Sequence, residues 1–264
     1  MSLTGKTKAS TYKDLLQMDN SNNGVDTTLR NVVDGEGTAS SISISDDNLM
    51  LKPVNDDTTS LLRVVNKAGD RLLVADSSNM RVTAGQGQNF VNTGYLEYGC
   101  DPAFSSGFTA GTHFAIPANG SHGYAQSATI PNFGSGSDPD LTQTYATAGA
   151  HIPKLWHFLP DAIIIDQVYI WIGNEDSGSD VVRFHLMSYA IETSAGATCG
   201  DLTDGAIIAS GSDITTTDNG RLHYQTLSAS PSEVSANRVL VLTLEQDTIN
   251  SDVGVDCKIK YHLK

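Results

Sequence analysis

The chain has 264 residues, of which 39% are apolar and 17% are charged, and its formal net charge at pH 7 is −14. Serine, threonine, asparagine and glycine are abundant, which favours turns and short strands and argues against a helical bundle or a coiled coil. No apolar run approaches the ~18–20 residues of a membrane-spanning helix. The strong acidity also argues against binding along a nucleic-acid backbone.

The first 84 residues predict short elements with small hydrophobic faces. Tyr12–Asp19 is predicted to form one or two helical turns, and Thr27–Val33 an extended strand. Five short strands separated by polar turns are predicted next, at Ser41–Ser45, Leu49–Pro53, Leu61–Val65, Leu72–Ala75 and Met80–Thr83. Each would bury two or three apolar side chains, which makes the segment marginal as a monomer. The pattern therefore favours several copies that share one core.

The second half of the chain predicts a larger β domain. Ala162–Ile172 is apolar on both faces, which is typical of a central strand. Val253–Leu263 alternates strictly, so one face, including Cys257, is expected to be buried. Further strands are predicted at Val181–Ile191, Ala206–Ala209, Leu222–Leu227 and Arg238–Leu244. This spacing predicts an antiparallel β-sandwich of jelly-roll type.

These patterns predict an all-β protein in three parts: an extended anchoring segment at 1–60, a short β shaft with a joint at 61–120, and a β-sandwich head at 121–264. The three cysteines, Cys100, Cys199 and Cys257, lack zinc-ligand spacing and are expected to be buried free thiols, with one disulfide as the alternative. The first residues contain no apolar stretch typical of a secretory signal, so folding in a cytoplasm is expected.

No motif predicts catalysis. Ser10–Lys13 matches the S-x-x-K pattern of some acyl transferases, but the companion motifs are missing. The seven histidines show no metal-ligand spacing. His185 shares a strand face with Arg183 and Met187, and we interpret it as a surface or hydrogen-bonded core residue. We therefore predict no catalytic residue and no bound cofactor apart from the calcium considered next.

Two kinds of binding residue remain candidates. Asp138, Asp140, Glu175 and Asp176 lie in acidic loops and supply the carboxylate oxygens that calcium prefers, although no EF-hand pattern is present. Solvated turns are the alternative interpretation of these loops. Trp156 is a candidate glycan contact because the faces of sugars stack on flat rings, and the alternative is packing or an interface.

Several segments resemble a known class of proteins. Ser10–Asp26, Asp34–Thr38, Ser41–Asp47, Asn66–Asp70 and Leu73–Asn79 together resemble the N-terminal module of virion proteins of marine tailed bacteriophages. These are fibre, appendage or capsid-decoration proteins. The resemblance covers about residues 7–84, a third of the chain, and it carries no catalytic residues.

The resemblance implies a homotrimeric structural protein of the virion, synthesised in the host cytoplasm. Its partners would be further copies of itself and other proteins of the capsid, neck or tail. The candidate anchoring side chains are Tyr12, Leu15, Leu16 and Met18. The head would face outward and could bind host surface glycans. The alternatives are a glycan-depolymerising tip enzyme and a secreted, lectin-like adhesin domain.

Overall fold

The computed structural model describes residues 14–21, 23–85, 89–100, 109–119, 131–144, 154–174, 180–216, 220–247 and 253–264. Over these residues the protein is all-β, as predicted, and its strands pair antiparallel. The chain divides into two compact units, Met1–Val91 and Asn92–Lys264. No helix among the described residues is long and apolar enough to cross a membrane.

The first unit contains two four-stranded meanders in which every strand pairs with its sequence neighbour. The strands of the first sheet are β1 (Gln17–Met18), β2 (Arg30–Val33), β3 (Ala39–Ile44) and β4 (Leu49–Leu51). Those of the second are β5 (Leu62–Val65), β6 (Arg71–Asp76), β7 (Arg81–Ala84) and β8 (Asn89–Phe90). The five short strands predicted between residues 41 and 84 are confirmed as β3 to β7.

Short polar side chains form the turns of these meanders. The Asp34 carboxylate accepts hydrogen bonds from the backbone N–H groups of Glu36 and Thr38, each 2.9 Å long. Asn66 accepts equivalent bonds from the two residues Ala68 and Asp70. An Asx side chain that accepts backbone N–H groups fixes a tight turn without any contact from elsewhere in the chain. The two turns span Asp34–Thr38 and Asn66–Asp70.

The second unit contains two facing sheets, which agrees with the predicted β-sandwich. The larger sheet has the order β11-β10-β19-β14-β15, with β12 beside β19 and β16 beside β14. Its strands are β10 (Thr112–Ile116), β11 (Asn132–Ser135), β12 (His157–Leu159), β14 (Asp180–Ile191), β15 (Leu202–Ser210), β16 (Ile214–Thr216) and β19 (Arg238–Gln246).

The smaller sheet has the order β17-β13-β20-β9, with β18 beside β13. Its strands are β9 (Thr93–Cys100), β13 (Ile163–Asn174), β17 (Leu222–Leu227), β18 (Glu233–Val234) and β20 (Val253–Leu263). The predicted central strand is confirmed, since β13 pairs with both β17 and β20. The bounds of β20 are those predicted from its alternation, and Cys257 is fully buried.

The sandwich has two apolar clusters, one on each face of the larger sheet. The main core lies between the sheets and includes Ile170 and Ile172 of β13 with Phe184 and Leu186 of β14. The second cluster includes Phe133, Leu155, Met187, Tyr189 and Val241. Both faces of β14 and β19 are therefore covered, which explains the continuous buried run along β19.

The structure departs from the sequence expectations in three places. Residues 14–19 form an extended segment with the short strand β1, so the predicted helical turns are absent from that described part of Tyr12–Asp19. The compact units divide after Val91 rather than near residue 120, because β9 pairs along its length with β20. The three cysteines form no disulfide, and Cys257 is buried as predicted. Cys100 is only partly buried, and Cys199 is exposed, so the predicted burial of Cys199 is wrong.

Candidate functional site

Two exposed aromatic rings lie side by side on the outer face of the smaller sheet. Trp171 of β13 and Tyr224 of β17 are cross-strand partners. Their ring centroids are 4.7 Å apart with an angle of 39° between the ring planes. Each residue is about half exposed, at 45% for Trp171 and 50% for Tyr224. We call this pair the aromatic platform.

Strand alternation places the platform on the solvent side of the sheet. Ile170 and Ile172 point into the main core, so the side chain of Trp171 between them points outward. The exposed Leu222 precedes Tyr224 by two residues on β17, so it projects from the same face of the sheet. Burial of large apolar side chains normally stabilises a protein, so an exposed aromatic cluster marks a candidate interaction site.

Polar groups lie next to the platform. Asp256 of β20 is exposed and pairs with Trp171 on the side opposite Tyr224. The neighbouring row of the sheet carries an ion pair between Lys258 and Glu97, with 2.5 Å between the amino nitrogen and a carboxylate oxygen. This pair lowers the pKa of Glu97 and raises that of Lys258, chiefly through the hydrogen bond between them. The two exposed aromatic rings are thus bordered by hydrogen-bonding groups.

Trp156, the candidate glycan contact from the sequence, lies elsewhere. It is only partly exposed and packs against the second apolar cluster of the sandwich. The packing alternative therefore describes this residue better than the contact interpretation. Sequence reasoning missed the platform because Ala162–Ile172 is apolar on both faces, so its pattern does not reveal which side meets solvent.

The candidate calcium ligands fall partly outside the described residues. Glu175 and Asp176 are not among them. Asp138 and Asp140 lie in the loop after β11, where Asp138 points towards His185 with 3.5 Å between its Oδ1 and the Nε2 of the imidazole. Among the described residues, no group of three or more His, Cys, Asp or Glu side chains could hold a metal ion. Calcium binding stays a prediction.

The candidate anchoring residues lie at the start of the described chain. Tyr12 is outside the described residues. Leu15 and Leu16 are 49% and 64% exposed, and Met18 is half-buried in β1. Two exposed leucines in an extended segment are available for contact with another protein.

The comparisons with known proteins leave the family open. No protein-family model matches the sequence, and no curated protein matches it. Among solved structures, the chain is similar to the CBM22-1 and GH10 modules of Clostridium thermocellum endo-1,4-β-D-xylanase 10B complexed with xylohexaose. The identity is 11% over 65% of this chain and 26% of that chain, with a TM-score of 0.26. A likeness this slight carries no argument about fold or activity.

Proposed function

We propose that the protein is a non-enzymatic structural component of a tailed-bacteriophage virion, a homotrimeric appendage or decoration on the head or tail. The resemblance of residues 7–84 to such proteins supports this proposal. The first unit attaches the protein to the particle, and the sandwich, of jelly-roll type, faces outward. Its partners are other virion proteins, and its location is the assembled particle.

One observation carries the proposal: six apolar residues of β5, β6 and β7 share one face of the second meander. Cross-strand pairing aligns Leu62, Ala75 and Val82 in one row of the sheet. Val64, Leu73 and Ala84 form the next row on the same face. We call these six residues the apolar face.

The apolar face is poorly covered within one chain. Leu62, Val64 and Val82 are 36%, 42% and 43% exposed. The other face of the same sheet carries the polar residues Arg63, Asp76, Arg81 and Thr83 together with the buried Val74. Burying apolar surface is worth about 25 cal/mol per Å², so covering this face contributes favourably to association. A homotrimer covers the three copies of this face against one another and supplies the shared core that the short strands lack.

Deletion of residues 1–40 is expected to abolish incorporation into particles without unfolding the sandwich. The deletion removes β1 and β2 and the exposed Leu15 and Leu16, whereas every strand of the second unit begins at Thr93 or later. Incorporation is measured by the amount of the protein in purified particles. Thermal unfolding of the truncated protein provides the control for folding. Normal incorporation of a folded, truncated protein contradicts the anchoring role.

The aromatic platform supports a second element of the proposal, binding of host surface glycans by the sandwich. A pyranose ring has an apolar face that stacks on an aromatic ring and a rim of hydroxyl groups that hydrogen-bond to side chains such as Asp256. Aromatic anchors of this kind dominate the energetics of binding sites. The platform, rather than Trp156, is the glycan contact that we propose.

Replacing Trp171 with alanine is expected to weaken glycan binding at least tenfold, equivalent to about 1.4 kcal/mol. Binding is measured on an array of bacterial surface oligosaccharides and then by titration with the best ligand found. Phe158→Ala is the matched control, because Phe158 is 49% exposed and lies on the other sheet. Equal binding by both variants, or no binding by the wild-type protein, contradicts the glycan role and leaves the structural role standing.

A further inference from the structure

The outer face of the smaller sheet carries aromatic side chains beyond the platform. Tyr169 precedes Trp171 by two residues on β13, so it projects from the same face. Tyr95 of β9 also projects outward, because its neighbour Leu96 packs against the main core on the other face. Tyr169 is half-buried, whereas Tyr95 is 59% exposed. These two tyrosines and the platform therefore share the solvent side of this sheet.

Cross-strand pairing places the four rings along a diagonal of the sheet. Tyr169 lies one row of cross-strand partners away from Trp171, and Tyr95 lies two rows away. From Tyr224 on β17 to Tyr95 on β9, the diagonal crosses the strands in the order β17-β13-β20-β9. At regular sheet spacing, the Cα atoms of these two end residues are about 20 Å apart. One sugar ring does not span that distance, whereas a chain of several linked rings does. We call Tyr224, Trp171, Tyr169 and Tyr95 the aromatic diagonal.

Each row of the diagonal also carries a hydrogen-bonding group on β20. Asp256 lies in the row of the platform. The ion pair of Lys258 with Glu97 occupies the next row. Lys260 lies beside Tyr95 in the third row. A carbohydrate ring needs both kinds of contact, because its face is apolar and its rim carries hydroxyl groups. The arrangement of one aromatic ring and one polar group therefore repeats over three rows of the sheet.

The charges along these three rows cancel, unlike those of the whole protein. Two carboxylates, Asp256 and Glu97, are balanced by the two ammonium groups of Lys258 and Lys260. The chain as a whole carries a formal net charge of −14. A protein with such a charge repels an anionic polymer, and the aromatic diagonal has no excess positive charge to offset that repulsion. Charge complementarity therefore favours an uncharged glycan.

We propose that the aromatic diagonal binds the interior of an uncharged polysaccharide chain, with successive sugar rings stacked on the four aromatic side chains. This inference rests on the glycan role proposed above and specifies its ligand. The ligand is a chain rather than a terminal sugar, and it is uncharged rather than acidic. Once one ring of a chain is bound, its linked neighbours reach the next contacts without a further loss of translational freedom. Affinity is therefore expected to increase with the number of linked rings.

Isothermal titration of the full chain with oligosaccharides of different length tests the proposal. The probes are the uncharged hexasaccharides cellohexaose, laminarihexaose, maltohexaose, mannohexaose and chitohexaose, each with the disaccharide of its own series. At least one hexasaccharide is expected to bind, and to bind at least ~tenfold more tightly than its disaccharide. Equal affinity for the two lengths in every series, or failure of all these hexasaccharides to bind, overturns the proposal.

An acidic probe tests the preference for an uncharged chain. Hexagalacturonate has six linked rings like the other probes, but each ring carries a carboxylate. It is expected to bind at least ~tenfold more weakly than the best uncharged hexasaccharide, because the protein is acidic and Asp256 lies next to Trp171. If hexagalacturonate binds more tightly than every uncharged probe, the proposed ligand class is wrong.

Substitutions at Tyr95 test whether the chain follows the diagonal. Tyr95→Ala removes the ring farthest from the platform and is expected to weaken hexasaccharide binding about tenfold, with little effect on the disaccharide. Tyr95→Phe is the matched control, because it keeps the ring, and it is expected to bind like the wild type. Thermal unfolding of both variants provides the control for folding. Wild-type affinity of a folded Tyr95→Ala variant for the hexasaccharide overturns the proposal.

The array of bacterial surface oligosaccharides separates failure of this inference from failure of the glycan role. If the wild-type protein binds glycans on the array but affinity does not increase with length in any uncharged series, the glycan role stands and the chain-binding diagonal is overturned. If the protein binds neither the array nor any hexasaccharide, both proposals are overturned. The aromatic diagonal is then left as a contact surface for another protein.

Discussion

Replacing Ile170 with aspartate is expected to unfold the sandwich. Ile170 is fully buried in the main core at the middle of β13, which pairs on one side with β17 and on the other with β20. A lone carboxylate there is surrounded by apolar side chains and has no partner. The expected loss in the free energy of unfolding is at least ~4 kcal/mol. Since the free energy of unfolding of a domain is only ~5–15 kcal/mol, this loss removes a large part of it.

The measurement is equilibrium unfolding in urea, followed by circular dichroism. Trp171→Asp is the matched control, because it introduces the same carboxylate one residue further along the same strand on the solvent side. This control is expected to leave the sandwich folded. Because burial disfavours the charged carboxylate, its pKa in the folded Ile170→Asp protein is raised and the loss of stability is largest at neutral and higher pH. Similar stability of wild type and Ile170→Asp would contradict the central position of β13.

Replacing Val64 and Val82 together with aspartate is expected to dissociate the proposed trimer. The full-length protein should have a native mass near three times 28.0 kDa by light scattering. Both valines lie on the apolar face, where two carboxylates per copy would have to be buried or would repel one another in an oligomer. The native mass of the double variant is therefore expected to fall to about that of one chain.

Arg63→Asp is the control for this experiment. Arg63 lies between Leu62 and Val64 on β5 and points to the other face of the sheet, so the variant adds negative charge without entering the apolar face. It is expected to remain trimeric. If the wild-type protein is a monomer at all concentrations, the trimer is contradicted. In that case no second copy of the chain covers the apolar face. A monomeric Arg63→Asp variant would show that net charge, rather than this face, controls assembly.

Most of the fold was predicted from two features of the sequence. One is the alternation of apolar and polar residues along strands, and the other is the presence of turn-forming residues between them. Val253–Leu263 was predictable because one set of alternating positions is apolar and the other polar, which is the pattern of a strand with one buried face. The polar turns between residues 41 and 84 marked the strands of both meanders. By contrast, β9 and β10 were missed. Their sequences include Gly94, Gly99, Thr112 and His113, which weaken the pattern, and their burial comes from pairing with β20 and β19 far along the chain.

The candidate sites were less predictable because they depend on contacts between distant strands. Trp171 meets Tyr224 only through the pairing of β13 with β17, 53 residues apart along the chain. His185 was expected to be on the surface or hydrogen-bonded in the core, but its Nδ1 is buried without a partner. His113 reaches it only because β10 and β14 lie on either side of β19. Local sequence patterns do not contain that information.

The strand order has a consequence for how the protein is made. Each meander of the first unit pairs only neighbouring strands, so all of its pairing partners are present as soon as its own residues leave the ribosome. The smaller sheet of the sandwich places β20 between β13 and β9, so it stays incomplete until residue 263 has been synthesised. Pairing of strands so distant in sequence is slow, and unpaired edges are prone to aggregation in the meantime. The nascent chain therefore exposes all strands of the first unit while β9 and β13 still lack β20. Copies of the first unit can then associate, and complete their shared core, before any sandwich is closed.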